Sequence, residues 1–280
     1  MMPVSRPQLY RENRQPVTRL RPSMGPRHDC GVQESLRDSD GRPVELDVAV
    51  HTARSPQELP PCPWEFPDPR RTDERGFIGF GADFAPATIV AAYRRGIFPW
   101  PHNEAEFAWF SPDPRAVIPL GGLHVSRRLG RTLRSGKFRF TVDAAFGRVM
   151  RSCAAGRPEG TWITDRLVEG YCQLHALGWA HSVEVWSEDG RLAGGLYGVA
   201  VGGMFGAESM FHRQTDASKA AMAVLVQHAR NVGVRLLDVQ VITDHTQRMG
   251  AVEIPRAVYL DLLGDACELP VSWMQPAKAD

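Results

Sequence analysis

With 280 residues, 43% hydrophobic and 23% charged, the chain is long enough for one large or two modest domains with an ample core. Its formal net charge of +1 assigns no partner by itself, so the distribution of charge has to be read. Five scattered cysteines (Cys30, Cys62, Cys153, Cys172, Cys267), without a CxxC pair or a His at ligand spacing, argue against zinc and a disulfide framework and for a reducing cytoplasm.

No apolar run reaches the ~18 residues a membrane span needs, and the N-terminus lacks the apolar core of a secretory signal. Residues 1–65 read as a poorly ordered extension, rich in Pro, Arg, Ser and Gln and without a lasting period. Its first 28 residues are Arg-rich with one acid, Glu12, and Met24 offers a second start.

Order is expected from Trp64. GFIGFGADFAPATIVAAYRRGIFPW reads as an extended turn and a helix, with Pro86 at its first position, Ile89, Val90 and Tyr93 at helical spacing and Gly96 at its stop. The aromatic strand Phe107–Phe110 ends in the turn Ser111-Pro112-Asp113-Pro114. Together these pieces predict a small N-terminal domain over 66–120.

From His124 to Arg157 the charge is lopsided, with a single acid, Asp143. Arg127, Arg131 and Arg134 fall at i, i+4, i+7 of one helix face. Arg128 and Lys137 lie beside them. An ordinary solvated face would look similar, but the shortage of local acids favours a polyanion such as a phosphate backbone. Without the aromatic signature of a base-reading sheet, contact would follow shape and phosphates.

Lys137–Val142 alternates as a strand, and Asp143 is placed to cap a helix over 144–154. A second helix runs from Asp165 to Leu177. His181–Trp186 alternates, and Asp189-Gly190 turns the chain into a further strand. Then come glycines set among Leu196, Tyr197, Met204 and Phe205, the polar break Glu208-Ser209, and a helix behind Asp216. A strand, Val234–Val241, and a last helix from Arg256 follow. This order predicts an α+β domain with a mostly antiparallel sheet over 121–266 and a tail over 267–280. Two acids interrupt the apolar strands, Glu208 and Asp238, and a carboxylate there is costly unless paired or chemically employed. Asp238 and Gln240 share a strand face.

Several stretches carry a resemblance: RGIFPW (95–100), WFSPDPRAV (109–117), HVSR (124–127), EGTWIT (159–164), AHSVEVW (180–186), GGLYGVA (194–200), ESMF (208–211), ASKAA (217–221), LDVQVITDH (237–245) and EIPR (253–256). In unbroken order over about 76–260, the chain resembles the leucyl/phenylalanyl-tRNA–protein transferases of the bacterial N-end rule. The resemblance implies a GNAT-like acyltransferase domain behind a small N-terminal domain, acting as a monomer without metal or redox cofactor. It implies transfer of Leu or Phe, and Met less well, from aminoacyl-tRNA to the α-amine of a protein beginning with Arg or Lys. The residues corresponding to the family's functional groups are Glu208, Asp238 and Gln240. The acyl pocket corresponds to Trp100, Trp162, Tyr171, Leu196 and Phe205, with Leu237 nearby.

The chemistry is consistent with those residue types. An aminoacyl ester is already activated, and an α-amine with a pKa of about 7.7–8.0 is partly neutral at pH 7. What remains is orientation, acceptance of one proton and help for an oxyanion. Asp238 acting through Gln240 is the expected proton acceptor, with Glu208 holding the aminoacyl ammonium or the ribose. Asp238 could instead be a structural carboxylate paired with an Arg. For the acceptor's leading cation, Asp244, Glu253 and Glu159 are candidates. Against an acetyl-CoA enzyme stands Arg213–Ser218, which lacks the glycines of a pyrophosphate turn and carries Asp216. A non-catalytic RNA-binding protein is the other alternative.

Overall fold

The structure, a computed structural model, describes residues 35–51, 54–100, 107–155 and 161–273. In chain order its elements are β1 (Leu36–Arg37), β2 (Pro43–Val44), β3 (Val48–Val50), β4 (Phe77–Phe80), α1 (Pro86–Arg94), β5 (Phe98–Pro99), β6 (Ala108–Phe110), β7 (Arg115–Val117), α2 (Arg127–Arg134), β8 (Phe138–Val142) and α3 (Phe146–Ala154). They continue with α4 (Asp165–Ala176), β9 (Ala180–Ser187), β10 (Leu192–Val201), β11 (Met204–His212), α5 (Ala217–Val232), β12 (Leu236–Gln240), α6 (Asp244–Arg248), β13 (Val252–Ile254) and α7 (Arg256–Cys267).

An eight-stranded sheet in the order β13-β7-β12-β11-β10-β9-β8-β3 forms the frame. Its pairings are antiparallel except β11/β12 and β3/β8, as the alternating strands and the Asp189-Gly190 hairpin predict. Successive residues point to opposite faces. Leu196, Phe205 and Leu237 join α2 and α5 in one core, while Tyr197, Met204 and Leu236 join α1, α3, α4 and α7 in the other. A three-stranded sheet, β4-β6-β5, carries the aromatic N-terminal segment.

Three boundaries differ from expectation. The poorly ordered extension predicted over 1–65 does not hold at 36–50, where β3 lies at the edge of the large sheet beside β8 and Leu36, Val44 and Leu46 are buried. The domain limit at 120 falls too late, because β7 already belongs to the large sheet. The tail from 267 is anchored at Trp273, 1% exposed against Phe205 and His228.

Neither capping residue read from the sequence caps its helix, and three others do. Ser126, Thr164 and Thr243 cap α2, α4 and α6 through their hydroxyls. Asp143 instead takes a positive φ and accepts from His181 and the Ser182 N–H. Asp216 makes no capping bond and pairs with Arg128 and Lys219.

Candidate active site

The sheet diverges between β11 and β12, which are hydrogen-bonded neighbours only over Met204–Gly206 and Leu236–Asp238. Glu208 lies just past that point. The partners of Tyr197 and Gly198 on β11 are Ser209 and Ala207, so Glu208 is the extra residue of a bulge. A bulge re-aims the side chain it carries. Here the Glu208 carboxylate meets Tyr93 of α1, Tyr171 of α4 and Gln240 at the end of β12. Tyr93 donates its hydroxyl to Oε1, Gln240 Nε2 donates to Oε1 at 3.1 Å, and the Tyr171 hydroxyl donates to Oε2 at 3.4 Å. The two tyrosine hydroxyls are themselves 3.2 Å apart.

Glu208 keeps some contact with solvent but is crowded by protein. Burial pushes its pKa up to about 8; the Tyr93 hydroxyl opposes this, and the charge of Asp238 adds to it. Burial and the Glu208 charge hold Tyr93 and Tyr171 well above the usual phenol range, so both remain donors. Gly206 lets Tyr93 lie on the strand, since a Cβ there would stand 2.9 Å from the Tyr93 ring and 3.7 Å from Gln240 Nε2.

Asp238 is 0% exposed and engaged on both oxygens. Arg115 Nε and Nη2 donate to it at 2.9 and 2.6 Å, the Tyr259 hydroxyl donates at 2.9 Å, and the Gln240 backbone N–H donates at 2.9 Å. Arg115 also donates to the Gly96 carbonyl and packs on the Phe98 and Tyr259 rings. Burial works against the Arg115 charge, and Asp238 together with the neighbouring tyrosines Tyr259 and Tyr93 outweighs it, raising the guanidinium's pKa. Gln240 takes φ +59°, with the Val241 N–H closing onto the Val239 carbonyl at 2.7 Å. A non-glycine residue at the centre of so tight a turn is strained by about 1–3 kcal/mol. Asp238 thus holds the Gln240 backbone in the turn that sends its amide to Glu208.

The predicted site residues are therefore brought together unequally. Glu208, Gln240 and Asp238 form one network, in which Asp238 is fully enclosed, Gln240 is buried and Glu208 keeps partial exposure. Trp100, Trp162 and Tyr171 belong to the core on their side of the sheet, while Leu196, Phe205 and Leu237 belong to the opposite core and are 0–1% exposed. The two halves of the predicted pocket therefore lie on opposite faces of the sheet. Asp244 and Glu253 are exposed, and Glu159 lies outside the described residues.

The basic helix has acids that its own segment lacks. Asp40 pairs with Arg127 at 2.8 Å, Asp38 with Arg134 at 2.7 Å and Asp216 with Arg128 at 3.3 Å. Arg131 and Lys137 are exposed with no ion pair among the described residues. A surface hollow between β2, α2 and β8, lined by Leu46, Arg134 and Phe138 among others, holds none of the other candidate residues.

Three residues of the network escaped the sequence reading. Tyr93 has the spacing of a core residue on α1. Arg115 heads an apolar strand, and the buried acid that it answers lies 123 positions away. Tyr259 sits on the buried face of α7. Among the described residues one cluster, Asp143, His175 and His181, brings possible metal-ligand atoms within 4.8 Å of one another. Both Nδ1 atoms already serve hydrogen bonds, His181 Nδ1 to Asp143 at 2.7 Å and His175 Nδ1 to the Ala180 carbonyl at 2.8 Å, while His181 Nε2 is buried without a hydrogen-bond partner.

A family model described as leucyl/phenylalanyl-tRNA protein transferase matches residues 117–264, and a model of that family's N-terminal domain matches residues 82–113. The leucyl/phenylalanyl-tRNA–protein transferase of Oleidesulfovibrio alaskensis is 48% identical over 214 residues, which cover 74% of this chain and 86% of the relative. That of Anaeromyxobacter sp. is 50% identical over 208 residues, covering 73% and 89%. That of Yersinia enterocolitica is 48% identical over 200 residues, covering 71% and 84%.

Proposed function

Since the chain belongs to the leucyl/phenylalanyl-tRNA–protein transferase family, and so to the aminoacyl-tRNA-dependent acyltransferases, we propose that it moves Leu or Phe, and Met less well, from the 3′ end of aminoacyl-tRNA to the α-amine of a protein beginning with Arg or Lys. The product is marked for N-end-rule degradation. In this reading the enzyme is cytoplasmic and monomeric and uses no cofactor; no helix among the described residues is long and apolar enough to cross a membrane. The divergence of β11 and β12 supports a GNAT-like assignment of the catalytic domain.

The observation that carries the mechanism is the partly accessible Glu208 carboxyl, with its pKa near 8. Glu208, not Asp238, takes the proton, because all the donors around Asp238 already occupy it. The acceptor amine attacks the ester carbonyl, the C–N bond forms and the amine's proton passes to Glu208. As the C–O bond breaks, Glu208 returns that proton to the departing ribose oxygen. Gln240 donates one amide N–H to Glu208, and its second is assigned to the developing oxyanion. Asp238 is a positioning residue acting through the Gln240 backbone. The Leu or Phe side chain enters the divergence, parting Leu196, Phe205 and Leu237 from Trp100, Trp162 and Tyr171. Apolar packing of that kind separates substrates by only about 1–3 kcal/mol per methylene, in keeping with acceptance of more than one amino acid.

Transfer of radiolabelled Leu from charged tRNA to an Arg-initiated peptide tests the reaction. Peptide-bound label is expected, and its absence with active charged tRNA contradicts it. Tyr93→Phe removes a donor that favours the Glu208 carboxylate, so the inflection of kcat/KM near pH 8 is expected to move upward; an unmoved inflection would assign the titration to another group. For tRNA binding, Arg131→Ala is expected to flatten the salt slope by about 1, whereas Arg127→Ala, relieved of its bond to Asp40, changes it less. Filter binding across a salt series distinguishes these outcomes.

A further inference from the structure

The two edges of β11 are used unequally. On one side β11 pairs with β10 as far as His212 opposite Gly194. On the other, β12 accompanies it only to Asp238 opposite Gly206, and the chain then turns away at Gln240, where φ is +59°. β11 itself runs on to His212.

Alternation along the strand decides which main-chain groups this leaves. The Gly203 carbonyl accepts from the Leu236 N–H at 3.1 Å, so Gly203, Phe205 and Ala207 turn their backbone toward β12. Glu208, the extra residue of the bulge, shifts the alternation by one. Met210 and His212 therefore turn their N–H and C=O to the side that β12 has left. Arg213 agrees with this phase, since its N–H faces β10 and bonds the Ala193 carbonyl at 2.7 Å. Among the described residues, nothing bonds the main chain of Met210 or His212 on that side. Met210 is half-buried and His212 exposed.

We propose that this edge holds the acceptor polypeptide as an added parallel strand, continuing the ladder that β12 leaves, with its α-amine at Glu208. This rests on the proposed transfer reaction and names how its second substrate is held. Alternating N–H and C=O groups match a polypeptide backbone, which carries the same alternation. The phosphates of tRNA are acceptors only and would meet the Met210 and His212 carbonyls without a donor between them. The reaction calls for the same kind of recognition. Acceptors share a leading Arg or Lys and nothing beyond it, so the following residues must be held through groups common to every chain, which strand addition does. Glu208 also sets the direction. An antiparallel peptide would carry its amine toward His212, whereas a parallel one starts beside Gln240 and Glu208 and reaches His212 about 13 Å further on.

The test uses the wild-type enzyme and the pentapeptide Arg-Ala-Ala-Ala-Ala, N-methylated at one backbone amide at a time. In a parallel ladder only alternate residues of the added strand bond to its neighbour. Methylation at alternate positions is therefore expected to raise both Kd, by calorimetry, and KM for transfer at least tenfold, because it leaves a carbonyl of the edge unpaired. Methylation at the intervening positions is expected to change them less than about threefold. Effects that are absent, or equal at successive positions, overturn the proposal. So does a dimer in sedimentation equilibrium whose formation excludes the peptide, which would give the edge to a second copy of the chain. Failure to transfer Leu to the unmodified peptide contradicts the reaction itself, while the calorimetric series still reports on the edge.

Discussion

Glu208→Gln is expected to lower kcat/KM for leucyl transfer by about 10²–10⁴ while making the protein more stable at alkaline pH. The loss follows because an amide cannot accept the amine's proton, although Tyr93, Tyr171 and Gln240 would still surround it. The gain follows from linkage. The folded-state pKa of Glu208, about 8, lies above the unfolded value of about 4.3. Between those limits the native state holds a proton that the unfolded chain has released, so stability falls as pH rises through the window. Glutamine has no such proton to lose. Its advantage is therefore slight at pH 5 and complete above about pH 8, readable as a difference in Tm between wild type and variant at the two pH values. An inactive variant that melts lower at pH 9 would show the carboxylate to be a structural group.

Arg115→Met is expected to cost about 3–5 kcal/mol, because it leaves the Asp238 carboxylate buried without its cation. Both partners are at most 1% exposed, so water cannot readily replace the guanidinium. Adding Asp238→Asn should recover part of that stability by removing the stranded charge. Activity should return only in part, because the amide keeps an oxygen for the Gln240 N–H, now 2.9 Å from Asp238 Oδ1, but not the charge that strengthens that bond. Denaturant titrations of the single and double variants check both statements. A single-variant loss below about 1 kcal/mol would mean that solvent reaches Asp238, leaving it free to act as the base.

Much of the frame was legible because it rests on local rules. The alternation along β8 and β9 and the hairpin at Asp189-Gly190 are decided by residues near one another in the chain. The acids of the site were legible for a related reason, since Glu208 and Asp238 violate the hydrophobic pattern of their strands. Their division of labour was not. It depends on Arg115 and Tyr259, brought to Asp238 across 123 and 21 positions, and on a bulge that one strand cannot announce without its partner. The acids that answer α2 were hidden for the same reason, Asp38 and Asp40 coming from a segment whose composition suggested no fold. Likewise, Leu196 points from β10 into one core and Tyr171 of α4 packs in the other, whereas a pocket correspondence treats them as one wall.

That Glu208 takes the amine's proton is tested most directly by the pH dependence of kcat/KM with an acceptor whose nucleophilic nitrogen does not titrate, such as an Arg-initiated peptide bearing an aminooxy group in place of its α-amine. The substrate then contributes no inflection near neutrality. The rate is expected to rise with unit slope and level off near pH 8, where the Glu208 carboxyl ionises. A profile flat from about pH 6 to 9 with this acceptor would contradict the assignment.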